Sequence, residues 1–277
     1  MFKIILTEPS ENVTLGPQKR ALITIIDDDA DRTCSSHSSL SSSTFPLNET
    51  MSSIAGKVFH TNIQAISCLG HERVSGGDRF VFHLESIISL NSFGESSFIA
   101  VVPFHGLCED NEDGSHGCDI NVTRAGSYAF NMYHLIPGGL EGTYFTDSVL
   151  SMEHLSKRRI DALLNFTSFR GRNADFRTAQ WVGYLKCQFT EFYTISIQFG
   201  DKTRIWLNHN LIIDTWDRDD TVKGSFIFLD SELYYPITID YLKATKDATV
   251  QIFWDSKHTP FSVIPSSAFF VKVSANP

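Results

Sequence analysis

The chain has 277 residues, a net charge of −9, 42% hydrophobic and 20% charged residues. That is room for about two globular domains at roughly 100–200 residues each, and the acidic balance argues against nucleic acid, whose phosphates call for clustered Lys and Arg. No stretch approaches the roughly 20 apolar residues that span a bilayer, and Met1 to Leu6, followed at once by Glu8 and Glu11, is too short for a secretion signal.

Aromatic residues, above all 22 Phe, lean the chain towards strands. Residues 1–32 hold two strand-like runs, Phe2 to Leu6 and Ala21 to Ile26, around a turn-rich stretch with Pro9, Asn12, Gly16 and Pro17. This reads as a β-hairpin with a long loop. Residues 33–56 are Ser/Thr-rich, above all from Ser35 to Thr44, and buried apolar surface there cannot offset ordering entropy, so the segment reads as a linker. Strand patterns return over 57–137: Arg79 to Leu84 alternates, Phe98 to Val102 is a buried-strand run, and Gly126 to Tyr133 alternates again. Residues 138–277 carry seven further strand-like runs, among them Trp181 to Leu185, Arg204 to Leu207, Asn210 to Ile213 and Thr249 to Trp254. Helical periodicity is weak throughout, with Ser151 to Leu164 its only candidate. The expected class is all-β, as tandem β-sandwich domains.

Cysteines and sequons point outside the cell. Cys108 and Cys118 bracket an acidic loop, Glu109 to Gly117, whose composition suits a disulfide-closed hairpin tip; two free thiols, or a zinc site with His105 and His116, are the alternatives. The odd total of 5 Cys leaves at least one thiol free or paired outside the chain, and the pairing of Cys34, Cys68 and Cys187 is open. Asn12, Asn48, Asn121 and Asn165 each open an Asn-x-Thr triplet that an N-glycan could occupy on an exposed surface.

From Gly139 the order of motifs resembles the protective-antigen (PA-fourteen) domain: Gly139-Leu-Glu-Gly-Thr-Tyr-Phe145, then Trp181-Val-Gly-Tyr-Leu185, then Tyr193-Thr-Ile195, Arg204-Ile-Trp-Leu-Asn208, Leu211-Ile-Ile-Asp-Thr-Trp216, a late strand with Trp254, and Ile264-Pro265. The resemblance covers residues 138–277 and implies a two-sheet sandwich used in adhesins, flocculins, toxins and glycosidase accessory modules, often to bind carbohydrate. In lectin members two consecutive aspartates at a strand turn hold Ca²⁺, which grips sugar hydroxyls. The corresponding pair here is Gly200-Asp201, so one carboxylate is absent and Asp201 is the remaining candidate Ca²⁺ ligand. The N-terminal hairpin, running into Asp27-Asp-Asp29, resembles the last quarter of a Calx-β domain, so the chain is expected to be a piece of a longer protein. Ala125-Gly-Ser-Tyr128 and Gly77-Asp78 resemble the strand entry and turn of filamin-type immunoglobulin repeats.

No phosphate loop, Gly-x-Ser-x-Gly or His-Glu-x-x-His motif appears, so no enzymatic activity is expected. Trp181, Trp206 and Trp254 lie within strand runs and are expected in the core, while Trp216, beside a polar loop, is the stacking candidate. The expected function is adhesion or recognition at the cell surface or in secretion, as part of a larger protein. Its partners would be glycans or surface proteins, and the candidate carbohydrate site is Asp201, Asn208, His209, Asp214 and Trp216 on loops at one end of the sandwich. The alternative is a structural or protein-binding segment without a sugar site.

Overall fold

A computed structural model of the chain describes Thr33 and residues 54–86, 104–166, 176–198, 202–216, 224–243 and 250–274. The N-terminal hairpin, most of the Ser-rich stretch, Phe98 to Val102, Cys34, Asn12, Asn48 and Gly200-Asp201 lie outside these residues.

The first part comprises β1 (Val58–Gln64), β2 (Phe80–Ser86), β3 (Phe104–Leu107), β4 (Glu109–Asp110), β5 (Ser115–Asn121) and β6 (Tyr128–Pro137). The second comprises β7 (Leu140–Phe145), β8 (Leu155–Asp161), β9 (Asn165–Phe166), β10 (Thr178–Leu185), β11 (Glu191–Gln198), β12 (Lys202–Leu207), β13 (Asn210–Asp214), β14 (Gly224–Leu229), β15 (Tyr235–Leu242), β16 (Val250–Ser256), β17 (Ser262–Val263) and β18 (Phe269–Ser274). Ser151 to Leu164, the one helical candidate, contains a single 3-10 turn, Met152–His154, before β8. Pairing with β7 along its length holds β8 extended.

Two sheets sandwich the larger core. One carries β13-β12-β15-β10, with β7 and β8 beside β10; the other is β14-β11-β16-β17, with β9 on β16. Period-2 alternation sends Trp181, Ile205, Ile239 and Tyr241 inward from the first sheet, to meet Tyr193, Ile195, Ile252 and Trp254 from the second. The first sheet does not stop at this unit. β18 pairs with β6, β6 with β2 and β2 with β3, so ten strands run as one sheet through both parts of the chain. Val81, Leu135 and Tyr184 form a small core where the parts meet.

The outer face of the second sheet is aromatic. Phe226 is 70% exposed, and its ring stacks on Phe192 at 4.7 Å, with Phe228 edge-on beside it.

In the first part, Cys108 and Cys118 form a disulfide across β5 and the entry to β4. Both are buried with Ile63, Phe80 and Phe82. With a sequence separation of 10, closing this loop restricts the unfolded chain by about 2–3 kcal/mol. The double change to serine is expected to lower the unfolding free energy from urea titration by that amount; an unchanged value would show that the bridge is idle. Cys187 is a buried free thiol, pushed up by burial, and Cys68 is exposed.

A charged knot fastens the same part. Asp78 lies 3.1 Å from His134 Nε2 and 3.3 Å from Arg73 Nε, and accepts from Thr33 Oγ1 at 2.6 Å. Burial opposes its ionisation, but the hydrogen bonds of His134 and Thr33 and the charges of His134 and Arg73 prevail and hold its carboxyl below the ordinary range.

Candidate functional site

The site is built on the solvent face of β12, β15 and β10. Along β12, Thr203, Ile205 and Leu207 are buried, so Lys202, Arg204 and Trp206 must point outward. Trp206 therefore lies outside the core expected for it; Trp181 and Trp254 are core residues, 0% and 5% exposed. Strand register sets the neighbours. Trp206 faces Thr238, and one step along, Arg204 faces Asp240, which in turn faces Gln180. Gln180 Nε2 donates to Asp240 Oδ1 at 2.8 Å.

The β12–β13 connection is two residues long, Asn208 and His209, with φ of +48° and +64°. Positive φ at both positions is the type I′ hairpin requirement, and Asn tolerates it well. The tight turn carries His209 to the end of this face. There Trp206, Thr238, Asp240, Gln180 and His209 line an open groove of about 300 Å³. The groove offers a half-buried indole face beside a carboxylate, a carboxamide, a hydroxyl and an imidazole. Burial pushes the Asp240 carboxyl above the ordinary carboxylate range, against the Gln180 hydrogen bond and the Arg204 charge.

The residues expected to form one loop site divide into two groups. Asn208 and His209 occupy the hairpin tip. Asp214 and Trp216 lie at the far end of β13, five residues away, or about 16 Å along an extended strand. Asp214 Oδ1 accepts from Arg204 Nε at 3.1 Å and from the Trp216 amide at 2.9 Å, and the Arg204 guanidinium sits 5.0 Å from the Trp216 ring centre. One face of that indole is thus already occupied. Among the described residues no group of three or more His, Cys, Asp or Glu is arranged to hold a metal ion, and Asp201, the expected Ca²⁺ ligand, lies outside them. Nor do His105 and His116 join a zinc set: the two cysteines are bonded to each other, and the His116 ring is buried against Phe80. Asn121 and Asn165 are both exposed, and Asn165 Oδ1 accepts from Gln251 Nε2.

The family model described as "PA14 domain" matches residues 138–267. Residues 138–267 are a PA14 domain. Across 138 residues the chain is 26% identical to the anti-sigma-I factor RsgI3 of Acetivibrio thermocellus, covering 48% of this chain and 21% of that protein's length. Among solved structures it is similar to an anti-sigma factor domain-containing protein, with 19% identity, a TM-score of 0.45 and coverage of 77% of this chain and 84% of that one. It is also similar to a PA14 sugar-binding domain from an RTX adhesin, at 14% identity and a TM-score of 0.38, covering 47% of this chain and 97% of that one.

The opening motif of the PA14 domain closes around one residue that sequence reading left out, Asp161. Its Oδ2 accepts from Tyr144 Oη at 2.5 Å and Trp181 Nε1 at 2.8 Å, while Oδ1 lies 2.7 Å from Arg159 Nε. Gly142 is obligatory beside this knot, since a Cβ there would come within 2.4 Å of Asp161 Oδ2 and 2.8 Å of the Trp181 indole nitrogen. Gly139, at φ +148°, would place a Cβ 2.5 Å from the Asp161 carbonyl oxygen. Burial, then the hydrogen bond and charge of Asp161, push the Tyr144 hydroxyl upward. Among the described residues no helix is long and apolar enough to cross a membrane.

Proposed function

We propose that the chain is a non-catalytic recognition segment of an extracellular or cell-surface protein, and that its PA14 domain binds the neutral sugar rings of a glycan in the groove beneath His209. The observation that carries this reading is the outward Trp206 indole set among Gln180, Thr238, Asp240 and His209. A sugar ring presents apolar C–H faces and a rim of hydroxyls. The indole takes the face, and the carboxylate, carboxamide, hydroxyl and imidazole exchange hydrogen bonds with the rim. The cavity size falls at the small end of ligand sites, roughly 300–1,000 Å³.

A glycan array probed with the whole chain tests the proposal. Trp206→Ala is expected to weaken the best glycan about tenfold, the loss of an aromatic contact near 1.4 kcal/mol. Trp216→Ala, on the Arg204 cluster, is expected to leave binding within a factor of about two. The reverse pattern would move the site to the loop end of β13, and a blank array would overturn the reading. A blank array favours the second reading, a protein-binding segment of a large ectodomain. The exposed Phe192, Phe226 and Phe228 rings are the observation on its side, because contiguous exposed apolar patches often mark interaction surfaces.

A further inference from the structure

The face that carries the groove continues past it. Residues directly paired in an antiparallel ladder share one face of the sheet. Gln180, a wall of the groove, pairs with Thr143 of β7, and Thr143 pairs with Arg158 of β8. Arg204, Asp240, Gln180, Thr143 and Arg158 therefore form one polar row across five strands. A second row runs beside it, two residues along each strand: Trp206, Thr238, Val182, Glu141 and Ile160. Between the rows lie Ile205, Ile239 and Trp181, which are core residues, so both rows face solvent.

The two rows make a lane that crosses the strands. With strands about 4.8 Å apart, it is about 19 Å long, and the groove beneath His209 takes up only its first part. Apolar side chains recur in it on alternate strands, as Trp206 of β12, Val182 of β10 and Ile160 of β8, the last 62% exposed. Neither end is walled. Among the described residues nothing pairs with β8 beyond β7, and at the other end Trp206 is followed by the exposed Leu211 of β13. Arg204 is held by Asp214, whereas Arg158 is exposed, with its guanidinium against the Met152 sulfur.

We propose that this lane binds the interior of a linear, uncharged glycan laid across the strands, with about four sugar rings at roughly one per strand, and that Thr143, Arg158 and Ile160 form its far end. The inference rests on the reading of the Trp206 groove as a sugar site and deepens it from a ring to a chain. Topography is the first argument. A terminal sugar is held by a pocket closed on one side, while a lane open at both ends lets a chain enter and leave. Repetition is the second. Apolar contacts return every second strand, about 9.6 Å, beside an unbroken polar row. A chain can rest ring faces on Trp206, Val182 and Ile160 while its hydroxyls meet the carboxylate, carboxamide, hydroxyl and guanidinium groups of that row.

Calorimetric titration of the whole chain with cello-, manno- and laminari-oligosaccharides, each from disaccharide to hexasaccharide, tests the proposal. In at least one series affinity is expected to rise about tenfold between disaccharide and tetrasaccharide and to level off by the hexasaccharide. Ile160→Ser and Arg158→Ala, both outside the groove, are each expected to weaken the hexasaccharide about threefold and leave the disaccharide unchanged, while Trp206→Ala weakens both. Near-ultraviolet circular dichroism checks that every variant keeps its packing. Affinity independent of length, no binding in any series, or Ile160→Ser and Arg158→Ala proteins that hold the hexasaccharide as well as the unaltered protein would each overturn the lane. Trp206-dependent binding of a disaccharide or an array glycan would then leave the groove reading standing, and a blank array would remove both.

Discussion

Replacing Asp161 by leucine is expected to cost about 3–5 kcal/mol of folding stability, measured as a shift in urea midpoint followed by tryptophan fluorescence. The side chain is only 5% exposed, and it gathers the indole N–H of Trp181, the hydroxyl of Tyr144 and the guanidinium of Arg159. Removing it strands two buried donors and a partly buried positive charge, each of which lost its water on folding. A domain of ordinary stability has about 5–15 kcal/mol in all, so the leucine protein is expected to be partly unfolded at 37 °C. Asp161→Asn keeps an oxygen acceptor and most of the shape, and is expected to cost about 1–2 kcal/mol. Equal midpoints for the two variants would show that the hydrogen bonds of the knot contribute nothing.

Acidification is expected to destabilise the protein between pH 6.5 and about 4, ahead of ordinary carboxylate titration. Burial, reinforced by Lys272 and the neighbouring histidines, lowers His83 from 6.5 to about 4, so over this interval the unfolded chain binds a proton that the folded chain refuses. Stability from His83 is therefore complete above pH 6.5 and drains away as pH falls towards 4, by about 1–2 kcal/mol once solvent screening of its exposed part is allowed for. His116, fully buried and lowered chiefly by burial, acts in the same direction. Asp78, held low by His134, Thr33 and Arg73 against burial, keeps its contribution until pH falls below the carboxylate range near 3.8. Asp240, raised by burial, works the other way and returns a little stability in acid. Urea midpoints taken from pH 7.5 to 4.5 check this, and His83→Phe, which can still pack on Tyr133, is expected to flatten the curve; identical slopes in both proteins would assign the loss elsewhere.

Much of the architecture was legible because alternation and turn chemistry are local. The run from Gly126 to Tyr133 becomes most of β6, and the all-β class follows from the same periodicity. The PA14 match from residue 138 could be read because Trp181, Trp206, Trp216 and Trp254 keep their places relative to Gly139 and Tyr144. Two features were misread or missed for identifiable reasons. Trp206 was assigned inward because it lies within a strand run, although Ile205 and Leu207 on either side already fix the inward phase of β12. Asp161 carries no motif of its own: its role appears only when β8 lies beside β7 and brings it against residues 17 and 20 positions away in sequence. The basic run Lys157-Arg-Arg159 lies within β8, with Lys157 and Arg159 both over the Tyr144 ring. The row from Arg204 to Arg158 was beyond sequence reading, because it depends on five strands lying in register.

That joint also determines how the molecule would respond to tension. Strand β18 lies antiparallel to β6, with Ser274 opposite Tyr133 and Phe270 opposite Pro137. A pull entering through the start of β6 and leaving past Ser274 acts on adjacent ends of neighbouring strands, so it peels the ladder open rung by rung instead of shearing all rungs at once. Pulled in this way, the protein would yield first along this seam, and the two parts would separate while each kept its own interior.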